Sequence, residues 1–446
     1  MSSEPELSGV ALTRAQSAIY FGHLIADSCA DYNISHYTEI QGSIDLTLMS
    51  EALYSVLSQC SSFRSRIKLV NDTPYFVADV AVASPLQYLD FSGQSSADRF
   101  ATDWMEKRRR LPFDIENGPL FNWTLLKVGD QRFFLFQCMQ HLIADGYSLN
   151  KFRNLVLDVY CSYLGKRQYL LPDIRSFAYQ EEQSYELSLD CDQDRIFWEN
   201  ELRDIPMPYS LSGKMPVDSR GSIRESLLID PALTSSLSQL CQSHRVTMPR
   251  LLIALVSGYY LRMTGQSEAV IELPVSGRNQ ASAQSIDMRS NTLALRLSMT
   301  PGLDLSGWIR HVSEKMRAAL RHQSYRIEVI RSELMHRSEL SSFSVNYMPF
   351  CGSHQRPTFS DKTYILSIGP IPDLSVCIYE DATSGLLHID LDGNSELYTA
   401  SAISAHLTRL IHFLRNASQG IPNPTLISLP LVDEDERARV LFGFNE

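Results

Sequence analysis

The stretch from Trp123 to Gly146 constrains this chain more than any other. WTLLKV (123–128) reads as a strand, Gly129 and Asp130 as a turn, and RFFLFQCMQ (132–140) as a second strand. The second strand is apolar nearly throughout, with no alternation. A strand apolar nearly throughout reads as central to a sheet. The sequence HLIADG follows without a break, and the apolar run from Phe152 to Leu164 reads as a helix ending near Gly165. The HLIADG segment thus immediately follows an apolar strand and precedes a helix.

Helix and strand patterns are mixed along the rest of the chain, which predicts an α/β (α+β two-layer) fold. Helical spacing recurs over 13–26, 46–60, 305–321 and 399–416, and over 232–265 with an interruption near Pro249. Strand patterns cover 269–278, 293–299, 342–350 and 365–370, and a hairpin covers 374–393 with its turn at Thr383 to Gly385. Polar sequence punctuated by Pro172, Pro206, Pro208 and Gly213 places a linker within 172–215.

Charge and cysteine content narrow the function. The 446 residues carry 40 Lys+Arg against 51 Asp+Glu, a net charge of −11. A nucleic-acid binder needs a basic face, so that class is disfavoured. No run of about 18 apolar residues suggests a membrane span, and the polar, acidic start lacks a secretory signal, so a cytoplasmic location is expected. The eight cysteines show no C-x-x-C spacing, and the histidines are scattered; no metal is expected, and the thiols read as free cysteines of a reducing compartment. The basic run Lys107 to Arg110 reads as a solvated helix face.

His141-Leu-Ile-Ala-Asp145-Gly146 is the strongest chemical feature. A histidine at a strand end reaches into a cleft, while an aspartate four residues on points back and holds the loop. The glycine permits close backbone approach to a reacting carbonyl. That arrangement suits acyl transfer. The same residues also read as a structural histidine followed by an Asp-Gly turn.

The region resembles the H-H-x-x-x-D-G loop of nonribosomal peptide synthetase condensation domains, of the chloramphenicol-acetyltransferase-like superfamily. Further segments resemble that family in order: LTRAQSAIYF (12–21), IQGSIDLTLMSEAL (40–53), SFRSRI (62–67), FDIENGPLF (113–121), FAYQEEQSY (177–185), PVSGR (274–278), SNTLALR (290–296), RHQSYRIEVI (321–330) and SFSVNYMPF (342–350). The closing LPLVDEDERARVLFGFNE resembles the passage into an adenylation domain. The sequence departs from the pattern at Gln140, where the first His is usual, and at Gln59, Cys60, Ser176 and Gln180.

The resemblance implies two lobes arranged as a V-shaped pseudo-dimer, 1–175 and 176–434, with 435–446 starting a linker to an adenylation domain. A tunnel between the lobes would admit a donor thioester and an aminoacyl carrier. His141 would act as base or positioner in amide formation, with Gly146 supplying backbone donors. Asp145 and Arg278 would form a structural ion pair across the lobe interface, with helix capping by Asp145 as the alternative, and Gln140 would be structural. Tyr147 and Ser148 would face the donor tunnel, and Asn291 and Asn346 would line the pocket.

The short segment before the first motif suggests the starter subtype, which takes acyl-CoA as donor and acylates an amino acid held on the phosphopantetheine arm of a carrier. No covalently bound cofactor is implied. The expected partners are downstream adenylation and peptidyl carrier domains, and the chain reads as a monomeric fragment. Delivery of the donor in trans by an upstream carrier is an alternative, as is a non-catalytic interface domain recruiting a tailoring enzyme. An epimerization domain needs a second acid/base where this chain has Pro274. A free-standing acyl-CoA transferase fits H-x-x-x-D but not the adenylation-like ending.

Overall fold

A computed structural model describes residues 9–25, 30–81, 86–174, 178–214, 221–334, 340–348, 353–381, 384–419 and 423–442. Cys29, Ser176, Cys351 and Thr383 lie outside the described residues. Among those described, no helix is long and apolar enough to cross a membrane.

In chain order the strands of the two larger sheets are β1 (Asn33–Gln41), β2 (Leu86–Asp90), β3 (Phe121–Gly129), β4 (Arg132–Gln140), β5 (Ser222–Leu228), β6 (Glu268–Val275), β7 (Asn291–Ser298), β8 (Phe343–Tyr347), β9 (Ser353–Gln355), β10 (Ser360–Ile368), β11 (Leu374–Glu380) and β12 (Leu387–Asn394). The principal helices are α1 (Arg14–Ile25), α2 (Leu46–Gln59), α3 (Ala97–Arg109), α4 (Gly146–Leu164), α5 (Ala178–Glu186), α6 (Leu189–Glu201), α7 (Pro231–His244), α8 (Met248–Thr264), α9 (Leu305–Arg321) and α10 (Ala400–Gln419).

The chain forms two compact units. The first comprises Met1–Leu189, Ser276–Ser290 and Phe350–Pro370. Its six-stranded sheet has the order β9-β10-β1-β4-β3-β2. β4 is central, and Phe133 to Gln140 are all buried. Helices cover both faces: Trp104 of α3 meets Phe136 edge-on at 5.7 Å, and Phe152 of α4 meets Trp123 at 5.2 Å on the other side. That double cover is why β4 shows no hydrophobic alternation. A smaller sheet joins Val10–Ala11, Thr73–Val77 and Arg66–Val70.

The second unit comprises Asp190–Val275, Asn291–Pro349 and Ile371–Glu446. Its six strands run β7-β6-β8-β11-β12-β5. Tyr260 of α8 stacks on Phe343 of β8 at 4.5 Å, and Trp308 of α9 donates to the Ala254 carbonyl at 2.7 Å. Both units are therefore mixed sheets covered by helices.

The units differ from the contiguous halves expected from sequence. The first runs on to Leu189 and takes in two later segments, because β10 pairs with β1 along its length and Ser276–Ser290 bonds to the start of α4. Two element boundaries also differ. α4 begins six residues before Phe152, capped by Asp145. The helical stretch over 232–265 breaks at Arg245, which takes the left-handed conformation (φ 53°) and ends α7. Pro249 sits in the first turn of α8, where its missing N–H costs nothing. A helix over Glu434–Phe442 overlaps the expected linker 435–446, and Glu436 pairs with Arg409 of α10 at 2.5 Å.

Candidate active site

The HLIADG loop is pinned from several directions. Gln140 closes β4 and its Oε1 accepts from the Leu142 N–H at 2.6 Å. Gln16 of α1 donates to the Leu142 carbonyl at 3.2 Å, while its Oε1 accepts from the Thr13 N–H at 3.0 Å. The His141 N–H donates to the Tyr32 carbonyl at 2.8 Å. The TRAQ segment near the start of the chain thus works as a brace for the loop. Gln140 is fully buried, and its amide does structural work.

His141 emerges half-buried from this brace. Its Nδ1 is buried and has no hydrogen-bond partner among the described residues. Gly369, at φ +108°, lies so close that a Cβ there would stand 3.5 Å from the His141 Cδ2. Burial pushes the imidazole pKa below its usual 6.5, against the pull of the Asp145 charge and nearby backbone of residues 141 and 144. The ring is therefore neutral at pH 7 and able to accept a proton.

Asp145 spends its oxygens elsewhere. Oδ1 accepts from the Ser148 N–H at 2.8 Å and caps α4. Oδ2 accepts from Arg278 Nη1 at 2.7 Å and from the Arg289 and Ser290 N–H groups, each at 3.0 Å. Burial would raise the carboxyl pKa, but Arg278 and the Ser148 and Arg289 N–H groups hold it below the usual carboxylate value. Capping and ion pairing occur together in one side chain. Arg278 enters with Ser276–Ser290, so this pair lies inside the first unit and does not join two lobes.

Two residues expected to line a tunnel or pocket are occupied otherwise. Ser148 is fully buried; its hydroxyl donates to the Asp287 carbonyl at 2.7 Å and accepts from Arg278 Nη2 at 2.6 Å. Asn291 donates to the Gln323 and Tyr325 carbonyls at 2.8 and 2.9 Å and accepts from the Ile327 N–H at 3.1 Å. Saturated amides and hydroxyls of this kind hold backbone and have little left for substrate. Tyr147 is half-buried, donates to the Ala283 carbonyl at 3.1 Å, and carries the Arg278 guanidinium 4.6 Å from its ring centre. Asn346 is half-buried on β8 of the second unit, opposite Cys377 of β11.

Sequence reasoning missed Asp287 and Arg289. Arg289 Nε bridges both Asp287 oxygens at 2.9 Å, and Arg289 also pairs with Glu181 of α5. Their acid-x-base spacing in IDMRS is too common to have flagged them. Three of the described cysteines are poor nucleophiles: burial pushes the Cys138 thiol up to about 12, and raises Cys60 and Cys377 as well. Among the described residues no three His, Cys, Asp or Glu side chains cluster as metal ligands.

Comparison with known proteins converges on one family. The condensation-domain family model matches residues 8–441. The chain is 29% identical over 444 residues to a dimodular nonribosomal peptide synthase of Bacillus subtilis (strain 168), covering 98% of this chain and 18% of that protein. It is 26% identical over 413 residues to an isonitrile lipopeptide synthase of Streptomyces coeruleorubidus, covering 91% and 28%. The chain thus spans less than a third of either relative. Among solved structures, a variant of the starter condensation domain of rhizomide synthetase RzmA in complex with C8-CoA superposes with a TM-score of 0.89 at 27% identity, over 95% of this chain and 98% of that one. The first condensation domain of the calcium-dependent antibiotic synthetase, in complex with a substrate analogue, gives 0.88 at 25%, over 96% and 100%. The match along nearly the whole chain and the loop geometry lead to the same conclusion: this chain belongs to the condensation-domain family of nonribosomal peptide synthetases, which form amide bonds.

Proposed function

We propose that this chain transfers an acyl group from a thioester to the α-amine of an aminoacyl group held on a carrier's phosphopantetheine arm, as a starter domain that N-acylates the first residue. The observation that carries the reading is a neutral, half-buried His141 at the end of β4, in a loop fixed by Gln16, Gln140 and Asp145. The amine attacks the thioester carbonyl, a C–N bond forms, the C–S bond breaks, and the amine loses one proton. A free α-amine has a pKa of about 7.7–8.0, so a useful fraction is already neutral at pH 7. His141 accepts the proton shed on attack or orients the amine, a contribution of about 10²–10⁴-fold. Holding both reactants in register contributes more, about 7–11 kcal/mol. The N-terminal backbone of α4 at Gly146 presents positive partial charge suited to the oxyanion.

Asp145 is not an orienting partner of His141, since its oxygens serve Arg278 and backbone N–H groups. That argues for a single base or positioner and against a nucleophile–His–Asp relay. Acyl-CoA as donor is supported by the likeness to a starter domain bound to C8-CoA. Adenylation and carrier domains as partners are supported by the multidomain length of the relatives. The test presents the protein with octanoyl-CoA or an octanoyl-loaded carrier, each with aminoacyl-loaded acceptor carrier, and weighs the acceptor by intact mass spectrometry. N-octanoyl acceptor from the CoA arm is expected. Product from the carrier arm alone would mean donor delivery in trans, and none from either would favour a recruiting, non-catalytic role.

A further inference from the structure

The pair of Asp145 and Arg278 belongs to a longer chain of charges inside the first unit. Asp287 is buried and faces Arg278 at 3.4 Å, and Arg289 Nε bridges both Asp287 oxygens at 2.9 Å. The Arg289 side chain is 7% exposed and pairs in turn with Glu181 of α5, which is 42% exposed. Charge therefore alternates in sign from the buried Asp145 out to a surface helix. The same residues carry the backbone that holds the HLIADG loop. The Arg289 and Ser290 N–H groups donate to Asp145, and the Asp287 carbonyl accepts from Arg278 and from Ser148. Arg289 thus has its N–H on the Asp145 carboxylate and its side chain stretched between Asp287 and α5. No residue of α5 is buried. With no apolar face sunk in the core, polar contacts carry more of its placement. Beside Glu181, Glu182 accepts from the Arg14 N–H at 2.6 Å, and Glu186 accepts from Arg14 Nε at 2.9 Å. α5 therefore reaches both supports of the loop, the TRAQ brace through Arg14 and the 287–290 backbone through Arg289. The two grips are unequal. Arg14 and Glu186 lie about half in water, where ion pairs contribute little. A guanidinium as enclosed as that of Arg289 depends far more on its partners.

We propose that Glu181 is a positioning residue for acyl transfer: it anchors Arg289, Arg289 fixes the backbone that grips Asp145, and Asp145 fixes the loop that carries His141. This rests on the acyl-transfer reading of His141. Glu181 acts through Arg289 and touches no reacting atom. Without it Arg289 keeps Asp287 but loses its outer anchor, and the 287–290 backbone gains freedom. That freedom passes to Asp145 through two N–H groups and to His141 through the four-residue loop between them.

The test makes Glu181→Gln, Arg289→Gln and the double variant in the intact chain. It reads kcat and KM for N-acylation of an aminoacyl-loaded carrier, using whichever octanoyl donor wild type accepts. It also reads the titration of the His141 ring by NMR of labelled histidine, the signal being identified by its loss in His141→Ala. Glu181 is on an exposed helix, so Glu181→Gln should fold. Its kcat is expected to fall by about 10-fold with KM within about twofold, since a misplacement of about 1 Å can cost about 10²-fold. Its ring midpoint should move up towards 6.5, because burial is what lowers it, against the pull of Asp145, and a loosened loop admits water. The double variant should lose no more than Arg289→Gln alone, as residues acting in series do. Wild-type kcat and midpoint in Glu181→Gln would overturn the proposal. So would a lower kcat or melting temperature with an unmoved midpoint, since Glu181 would then be structural only, and so would losses that add in the double variant. No product from wild type would remove the acyl-transfer reading; a shifted midpoint in Glu181→Gln would even then show Glu181 fixing His141.

Discussion

Each carboxylate oxygen of Asp145 has its own task, one capping α4 and the other meeting Arg278 and two backbone N–H groups. Both side chains of the ion pair are nearly inaccessible, at 3% for Arg278 and 2% for Asp145. Removing one partner leaves the other buried and unpaired. Asp145→Ala should therefore cost about 3–5 kcal/mol in urea unfolding. Its depressed pKa also sets a sign: the stabilisation is complete above the ordinary value of 3.8 and is lost as pH falls through the lower folded value. The rate should fall below about pH 7.7–8.0 as the amine protonates. The His141 pKa is lowered from 6.5, so protonation of the ring should steepen that fall only below pH 6.5. A pH–rate profile of product formation checks this. The contact between Asp145 and Arg278 was legible because their motifs sit at strand and helix ends. The bonds of Ser148 and Asn291 were not legible because their partners, Asp287 and the backbone of 323–327, lie 139 and about 32–36 positions away and leave no local sign.

Among the elements, β4 was the most legible, since a strand covered on both faces by α3 and α4 must be apolar on both. Its neighbour β1 was not. NISHYTEIQ lies beside β4 with Asn33, Ser35, His36 and Thr38 all buried. Two of them bond to distant groups: Thr38 meets Thr363 of β10 at 3.0 Å, and Asn33 donates to the Arg109 carbonyl at 2.8 Å. Hydropathy cannot show that. The break between α7 and α8 was misplaced because Pro249 is a strong punctuation mark, whereas a left-handed arginine is silent in sequence. Arg245 adopts φ 53° and ψ 44°. Replacing it with glycine should stabilise the protein by about 1 kcal/mol, read as a higher denaturant midpoint.

At the level of the whole molecule, sequence halves and structural units do not coincide. β10 pairs with β1 from Ser360 to Ile368, and Arg278 completes the charge pair of Asp145, although both segments come from the second half of the chain. A fragment of residues 1–189 would lack both. It should therefore lack fixed tertiary packing, seen as a lost near-ultraviolet dichroism signal, while the intact chain retains it. This dependence was illegible in the sequence, because each later segment looks locally like part of the unit it is leaving. Within the first unit, Gln16, Gln140 and the Tyr32 carbonyl fix the loop that carries the neutral imidazole at the end of β4. The most direct measure of its role is single-turnover formation of N-acyl-aminoacyl carrier by wild type and by His141→Ala, compared after both are shown to melt at the same temperature. The account predicts a loss of about 100-fold or more in the variant. Equal rates would contradict it.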